Sequence, residues 1–416
     1  DAQLERGLVA TDYIETTTAP VQAGITEDLP RIDYTDGCGS LLLEPSRVNI
    51  VAHSEYFNSA GNTSANVTAT DNAFESLSGY IDATELKSTS TSGGHFLGTA
   101  EFTLTSGTTY TSSVFVKKGT GRYFQTFFGG TAFTSLGYAN FDLQEGVVTQ
   151  EGSAITADIE DYGNGWFRVY MTGAAAATGT NRLYVCVIPT ATSGRIGSHN
   201  QVLSYYIYGA QVEAGSYPTS YIPTYGSAAT RLVDKPLVNP QNLLGAKEGS
   251  WFMNFADMSF DISGTSGPSV YIGYNQSNYL GITNRGLGNV NQVLFCKRES
   301  GSIANLHTII SQRGNDKFCF TWNGSNLKLF VNGVKVYDDD NFANFIVWDE
   351  LILGNDARTP QYNAKQTFLF PTQLTDSEVL ALTRPYDTYQ EWVDGEGLTW
   401  ESKSCTVQNL VELQNL

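Results

Sequence analysis

The chain has 416 residues and a formal charge of −18 at pH 7, from 42 Asp and Glu against 24 Lys and Arg; it lacks the clustered cations that a nucleic-acid phosphate surface needs. Charged residues make up only 16% while Gly (41), Tyr (23) and Phe (22) are plentiful, which argues against long charged helices and for an all-β chain rich in turns. Five scattered cysteines without a Cys-x-x-Cys pair exclude a zinc knuckle and a dense disulfide framework, and no apolar run reaches the ~18–20 residues of a membrane-spanning helix.

The chain starts with a string that returns later. Ala2-Gln3-Leu4-Glu5-Arg6-Gly7 leads to Thr11-Asp12-Tyr13-Ile14, and Ala210-Gln211-Val212-Glu213-Ala214-Gly215 leads to Thr219-Ser220-Tyr221-Ile222 at the same spacing. A repeat kept in register marks a modular chain. Residues 1–37 are therefore expected to hold the end of an upstream module and a connector, outside the core of the module that follows.

That module is expected over 38–228. Leu41-Leu42-Leu43 opens it, and strands follow by alternation and turn punctuation at 109–116, 122–128, 138–143, 147–149, 165–171, 183–188 and 204–208. Short strands with no helical period between them predict a β-sandwich or jelly roll. Cys186 and Cys319 read as small buried strand residues. A proline-bearing linker is expected at 229–247 and a second module at 248–386. Its surest hairpins are Lys317–Trp322 against Leu327–Val331, and the Asn332-Gly333 turn into Val334–Tyr337. One helix is predicted. Thr375-Asp376-Ser377-Glu378 is a capping box, Leu374 and Val379 a hydrophobic staple, and the helix stops before Pro385. Residues 387–416 form an acidic C-terminal tail with a short apolar stripe at its end. The fold class is all-β: two tandem β-sandwich or jelly-roll domains, with one short helix near the end of the second.

Several chemistries find no support. Glycoside hydrolysis needs two carboxylates held across the scissile bond. The nearest candidates, Asp349 and Glu350, are adjacent, and adjacent strand residues point to opposite faces. His53, His95, His199 and His307 lie near no Gly-x-Ser-x-Gly elbow and read as loop or surface residues. Gly119-x-Gly121 lacks the third glycine and the helix of a nucleotide loop. Asp338, Asp339 and Asp340 have the ligand chemistry of Ca²⁺ but match no loop motif, so the ion stands beside an ordinary polar turn as a reading; no other cofactor is indicated. Tyr123, Gln125 and Phe127 share one face of a strand, and Tyr206 and Tyr208 one face of another. Each set either lines a sugar-binding face or packs inward, as aromatics in sandwiches more often do.

Leu43-Glu44-Pro45-Ser46-Arg47-Val48-Asn49, Tyr110–Lys117, Asn140-Phe141-Asp142-Leu143, Asn164-Gly165-Trp166-Phe167-Arg168-Val169, Gly209–Glu213, Tyr221-Ile222-Pro223-Thr224 and Thr230-Arg231 run in order through the first module. Together they resemble the carbohydrate-binding-module-like jelly roll of bacteriophage tail and head fibre proteins. The second module is similar to laminin-G-like, concanavalin A-like domains through Phe320–Gly333 and Leu374–Leu382. The resemblance implies a non-enzymatic virion appendage protein, made in the host cytoplasm and displayed on the particle exterior. It would be a homotrimer that contacts other virion proteins and binds a host-surface glycan, without nucleic-acid binding or membrane insertion. Both folds also serve as plain spacers, and a polysaccharide depolymerase is the third reading.

Overall fold

The structure is a computed structural model that describes residues 31–33, 39–133, 137–234, 237–238, 240, 243–244, 247–259, 268–275, 277–283, 292–310, 316–342, 350–353 and 361–384. The repeat copy at 2–14, Cys38, Asp349, Cys405 and the tail at 387–416 lie outside these residues. The chain divides into two units: Arg47–Arg231 is one, and the residues up to Ser46 and from Leu232 onward form the other. Each is all-β.

In the Arg47–Arg231 unit the described residues form two large antiparallel sheets. The first has seven strands, in the order Val147–Glu151, Tyr138–Asp142, Tyr123–Gly130, Gly179–Ile188, His95–Gly98 and Thr63–Ala65, with Phe102–Leu104 also pairing with Gly179–Ile188. The second has six, in the order Thr156–Asp161, Trp166–Ala174, Thr109–Lys118, Ser204–Ala214, Ile81–Ser88 and Val67–Glu75. Strand alternation explains the core. Phe124, Phe128, Leu183, Val185 and Val187 from one sheet meet Val114, Val116, Val169, Met171, Tyr205 and Ile207 from the other. Trp166 is buried on the outer face of the six-stranded sheet with Phe115 and Tyr208.

The second unit is also a sandwich. One sheet runs Arg31–Asp33, Ser40–Leu43, Gln361–Phe370, Gly249–Ser259, Asp316–Trp322, Leu327–Val331, Val334–Asp339. The other runs Leu237–Val238, Glu350–Ile352, Pro268–Asn275, Asn278–Thr283, Gln292–Glu299, Ser302–Ile310. Trp251, Phe318, Phe320 and Trp322 face Val270, Ile272, Leu280 and Phe295 between them. The Asn332-Gly333 turn has φ of 49° and 76°, the left-handed pair that a tight hairpin requires. Asp376–Thr383 is helical with the expected capping box. Val379, Leu374 and Leu382 cover Phe252, Cys319 and Phe330 on the outer face of the first sheet.

Two expectations about the boundary change. Leu41-Leu42-Leu43, expected to open the first module, pairs instead with Gln361–Phe370 and sends Leu43 into the core of the other unit. An unbroken leucine run has no alternation to name its partner. Within the expected linker, Ala229–Arg231 pairs with Arg47–Asn49 and Leu237–Val238 pairs with Glu350–Ile352. The chain thus enters and leaves the Arg47–Arg231 sandwich on two paired strands.

The second copy of the repeated string has a clear structural task. Gln211 Oε1 accepts from the Ile222 amide at 2.8 Å, and Glu213 Oε1 from the Thr219 amide at 2.8 Å. The Thr219 hydroxyl donates to Glu213 Oε2 at 2.6 Å, and Gln211 Nε2 to Glu213 Oε1 at 2.7 Å. Arg47 lies 3.6 Å from the same carboxylate. The strand end therefore clamps the loop that follows it.

Candidate functional site

The residues predicted to read sugar fall into two separate groups. Tyr123, Gln125 and Phe127 do share the outer face of the seven-stranded sheet, but the chain covers that face itself. Gln125 is fully buried, donating to Asn140 Oδ1 and to the Gly194 carbonyl and accepting from the Ile196 amide. Phe127 is buried, stacked on Tyr184 at 4.4 Å with the Arg195 guanidinium 4.1 Å above its ring. Tyr123 is half-buried, with the Arg122 guanidinium 5.2 Å from its ring. Tyr206 and Tyr208 stand on the outer face of the other sheet. Tyr206 is half-buried and stacks on Phe74 at 4.2 Å, while Tyr208 is buried. Each set does share a face; the segment at 194–196 covers part of the first, and Phe74 of the Val67–Glu75 strand stacks on the second.

Asp338, Asp339 and Asp340, the candidate Ca²⁺ ligands, meet donors of the protein itself. Asn326 Nδ2 donates to Asp338 Oδ1 at 3.0 Å and to Asp340 Oδ1 at 2.8 Å, and Lys335 Nζ donates to Asp338 Oδ2 at 2.7 Å. Asp339 accepts from the Tyr337 hydroxyl and the Asn341 amide. Protein donors thus reach both oxygens of Asp338 and Asp339 and one of Asp340, and among the described residues no three His, Cys, Asp or Glu side chains are placed to hold a metal. Lys335 also holds the Asp338 carboxyl below the usual carboxylate range, ahead of the Asn326 amide. The histidine reading changes too. His95 and His199 are buried and stacked, with ring centroids 4.1 Å apart.

A hollow of about 390 Å³ lies elsewhere on the Arg47–Arg231 unit, lined by His53, Tyr56, Asn58, Ser59, Asp71 and Tyr225. Its floor is built by pairing between distant segments. His53 bridges to Tyr225, the Gly226 amide donates to the Ala52 carbonyl at 2.7 Å, and the Thr224 amide to Ser54 Oγ at 2.8 Å. This pairing leaves the Tyr56 and Tyr225 side chains 41% and 51% exposed at the rim, edge to face with centroids 6.5 Å apart. Glu55 is buried and accepts the Tyr208 hydroxyl at 3.0 Å and the Tyr225 hydroxyl at 3.1 Å, while the Tyr221 hydroxyl, 3.3 Å away, gives its proton to Ser54 Oγ at 2.6 Å. Burial, then the neighbouring Glu55 charge, pushes the Tyr208 and Tyr221 hydroxyls well above the usual phenol range, so both remain donors. Tyr208, predicted as a sugar contact, is thus a support under the site.

Asp71 arrives by a local irregularity. Thr70 pairs with Glu85 and Phe74 with Ala83, so three residues bulge out between two cross-strand positions, with Asn72 at a left-handed φ of 56°. Asp71 Oδ1 accepts from the buried Thr84 hydroxyl at 2.6 Å. Asn58 Nδ2 donates to the Ala69 carbonyl at 2.5 Å, which sets that amide's orientation. The Ser59 hydroxyl is buried with no hydrogen-bond partner among the described residues. Sequence reading missed Tyr56 and Tyr225 because they stand in irregular segments, where no alternation singles them out. The polar Asp71-Asn72 pair inside a strand was the available signal for the bulge.

No protein-family model matches the chain, and no curated protein matches it. Among solved structures it is similar to the CBM40 module of the Ruminococcus gnavus IT-sialidase bound to α2,3-sialyllactose, at 14% identity over 33% of this chain and 84% of that one, with a TM-score of 0.27. It is similar to CG-16, a homodimeric agglutinin from chicken liver, at 16% identity over 33% and 99% with a TM-score of 0.23. It is also similar to domain 4 of AbnA, an extracellular arabinanase of Geobacillus stearothermophilus, in complex with arabinotriose, at 12% identity over 41% and 82% with a TM-score of 0.27. Likenesses of this size assign no role.

Proposed function

We propose that the protein binds glycan without cleaving it, through the hollow of the Arg47–Arg231 sandwich. The observation that carries this is the pair of half-exposed tyrosine rings, Tyr56 and Tyr225, set on a buried carboxylate support beside polar side chains. Ring faces pack on the apolar face of a pyranose, and a few placed polar groups read its hydroxyls. The wider setting is a fibre-type appendage on a bacteriophage virion, a homotrimer touching other virion proteins and host-surface polysaccharide. The ordered strings from Leu43 to Arg231 support that setting. The test is retention on immobilised host polysaccharide. Tyr225→Ala and Tyr56→Ala should each weaken binding by about tenfold, a loss typical of removing an aromatic anchor. Unchanged binding by both variants overturns the reading. The same incubation should release no new reducing ends, and an antibody to the chain should label the outside of purified particles.

A spacer role without glycan is the second reading. The favouring observation is that Gln125, Phe127 and Tyr208 are covered by the protein's own segments. It predicts no retention on any polysaccharide.

A further inference from the structure

The polar groups around the hollow differ in what they can offer a ligand. Asp71 is acceptor-only, and Thr84 fills one of its oxygens. The Asn58 amide gives one N–H to a backbone carbonyl and keeps the other N–H and its carbonyl oxygen. The Tyr225 hydroxyl gives its proton to Glu55. Tyr56, Ser59 and His53 can act either way. Among the described residues no Lys or Arg lines the hollow, its Tyr225 hydroxyl is bonded to the buried Glu55 carboxylate, and the whole chain carries a charge of −18.

We infer that the hollow takes a neutral or amino sugar and rejects an acidic one; this rests on the reading of the hollow as a glycan site. Sugar hydroxyls can both donate to and accept from these groups, and an ammonium adds attraction to Asp71. A uronic or sialic acid carboxylate has no proton to give. It is normally met by a guanidinium fork or by backbone amides. Here it would stand beside the Asp71 carboxylate, with no guanidinium or ammonium among the described lining residues.

The test uses the full chain at about 0.15 M salt, where long-range attraction to the acidic surface is screened. Immobilised glycans are grouped as neutral, amino and acidic, and binding by the unaltered protein is compared with Tyr225→Ala and Asp71→Asn. Ligands lost with Tyr225→Ala should come from the neutral and amino groups. Asp71→Asn, which keeps an acceptor for Thr84, should weaken amino sugars by roughly two- to fivefold relative to neutral ones, the scale of an exposed ion pair. Acidic glycans that bind and are lost with Tyr225→Ala would leave the site standing and overturn this inference. Asp71→Asn affecting both groups equally would overturn the role of Asp71. If Tyr225→Ala changes no glycan in any group, the glycan reading itself fails and the inference falls with it.

Discussion

A carboxylate buried as deeply as Glu55 is costly to keep charged unless donors surround it. The Tyr208 and Tyr225 hydroxyls supply them. Glu55→Ala would leave the Tyr208 hydroxyl, on a buried side chain, without its acceptor, while Tyr221 keeps Ser54 Oγ at 2.6 Å and the exposed Tyr225 turns to water. Chemical denaturation should show a loss of about 2–4 kcal/mol, with Glu55→Gln less damaging. The second residue-scale case is the stacked histidine pair. His199 Nδ1 accepts from the Gln201 amide and Nε2 faces the Val187 carbonyl, while the nitrogens of its neighbour His95 face the Asn66 and His199 carbonyls. Burial lowers the His199 value below its ordinary 6.5, and His95 lowers it further. The unfolded chain therefore takes up the proton first. The favourable contribution is complete above 6.5 and is lost as pH falls toward the lower folded value. Denaturation midpoints between pH 7 and 5 should fall for the native chain, and the His199→Gln difference should shrink over that range. Neither partner of this pair was legible in sequence, since 104 positions separate them and stacking leaves no spacing pattern.

Among the elements, the repeated string shows most clearly what sequence alone could and could not disclose. Its constant spacing was plain, but not its cause. Gln211 reaches Ile222 and Glu213 reaches Thr219, so an insertion between them would break both hydrogen bonds. The earlier copy keeps the same residue types at Gln3, Glu5, Thr11 and Ile14. Removing the buried carboxylate in Glu213→Ala takes a counter-charge from Arg47 and the acceptor from Thr219, and should cost about 3–5 kcal/mol, read as a shift in the urea midpoint. The helix was legible down to its cap, because the Thr375 and Glu378 side chains act within four residues of each other. Thr375→Ala should cost about 1 kcal/mol in the same assay. The bulge at Asp71 was not legible. Its left-handed Asn72 is stabilised by how the Val67–Glu75 and Ile81–Ser88 strands register, a long-range matter. Hairpins, alternation and caps are local and were visible. Which loop covers which face was not.

For the molecule as a whole, the order of the chain is the informative feature. Ser40–Leu43 belongs to the sheet completed by Gln361–Phe370, so one sandwich begins before the other and closes after it. The intervening unit leaves where it entered, since Arg47 and Arg231 are cross-strand partners. Neighbouring termini are what allow a domain to sit inside another chain without distorting it. Each sandwich also has its own core, Phe124 and Val116 in one and Trp251 and Phe320 in the other. A fragment spanning 47–231 should therefore fold alone, because it retains both sheets, the Glu213 clamp and all six residues around the hollow. Its unfolding should be a single cooperative transition, and it should keep the glycan binding of the full chain, including the loss with Tyr225→Ala. A fragment starting at 38, the boundary the leucine run suggested in sequence, would carry Leu41, Leu42 and Leu43 without the strand that pairs with them. Three apolar residues on an unpaired strand are a template for association. Light scattering of the two fragments at equal concentration should show the longer one self-associating and the shorter one monodisperse; the reverse order would return the leucine strand to the first sandwich.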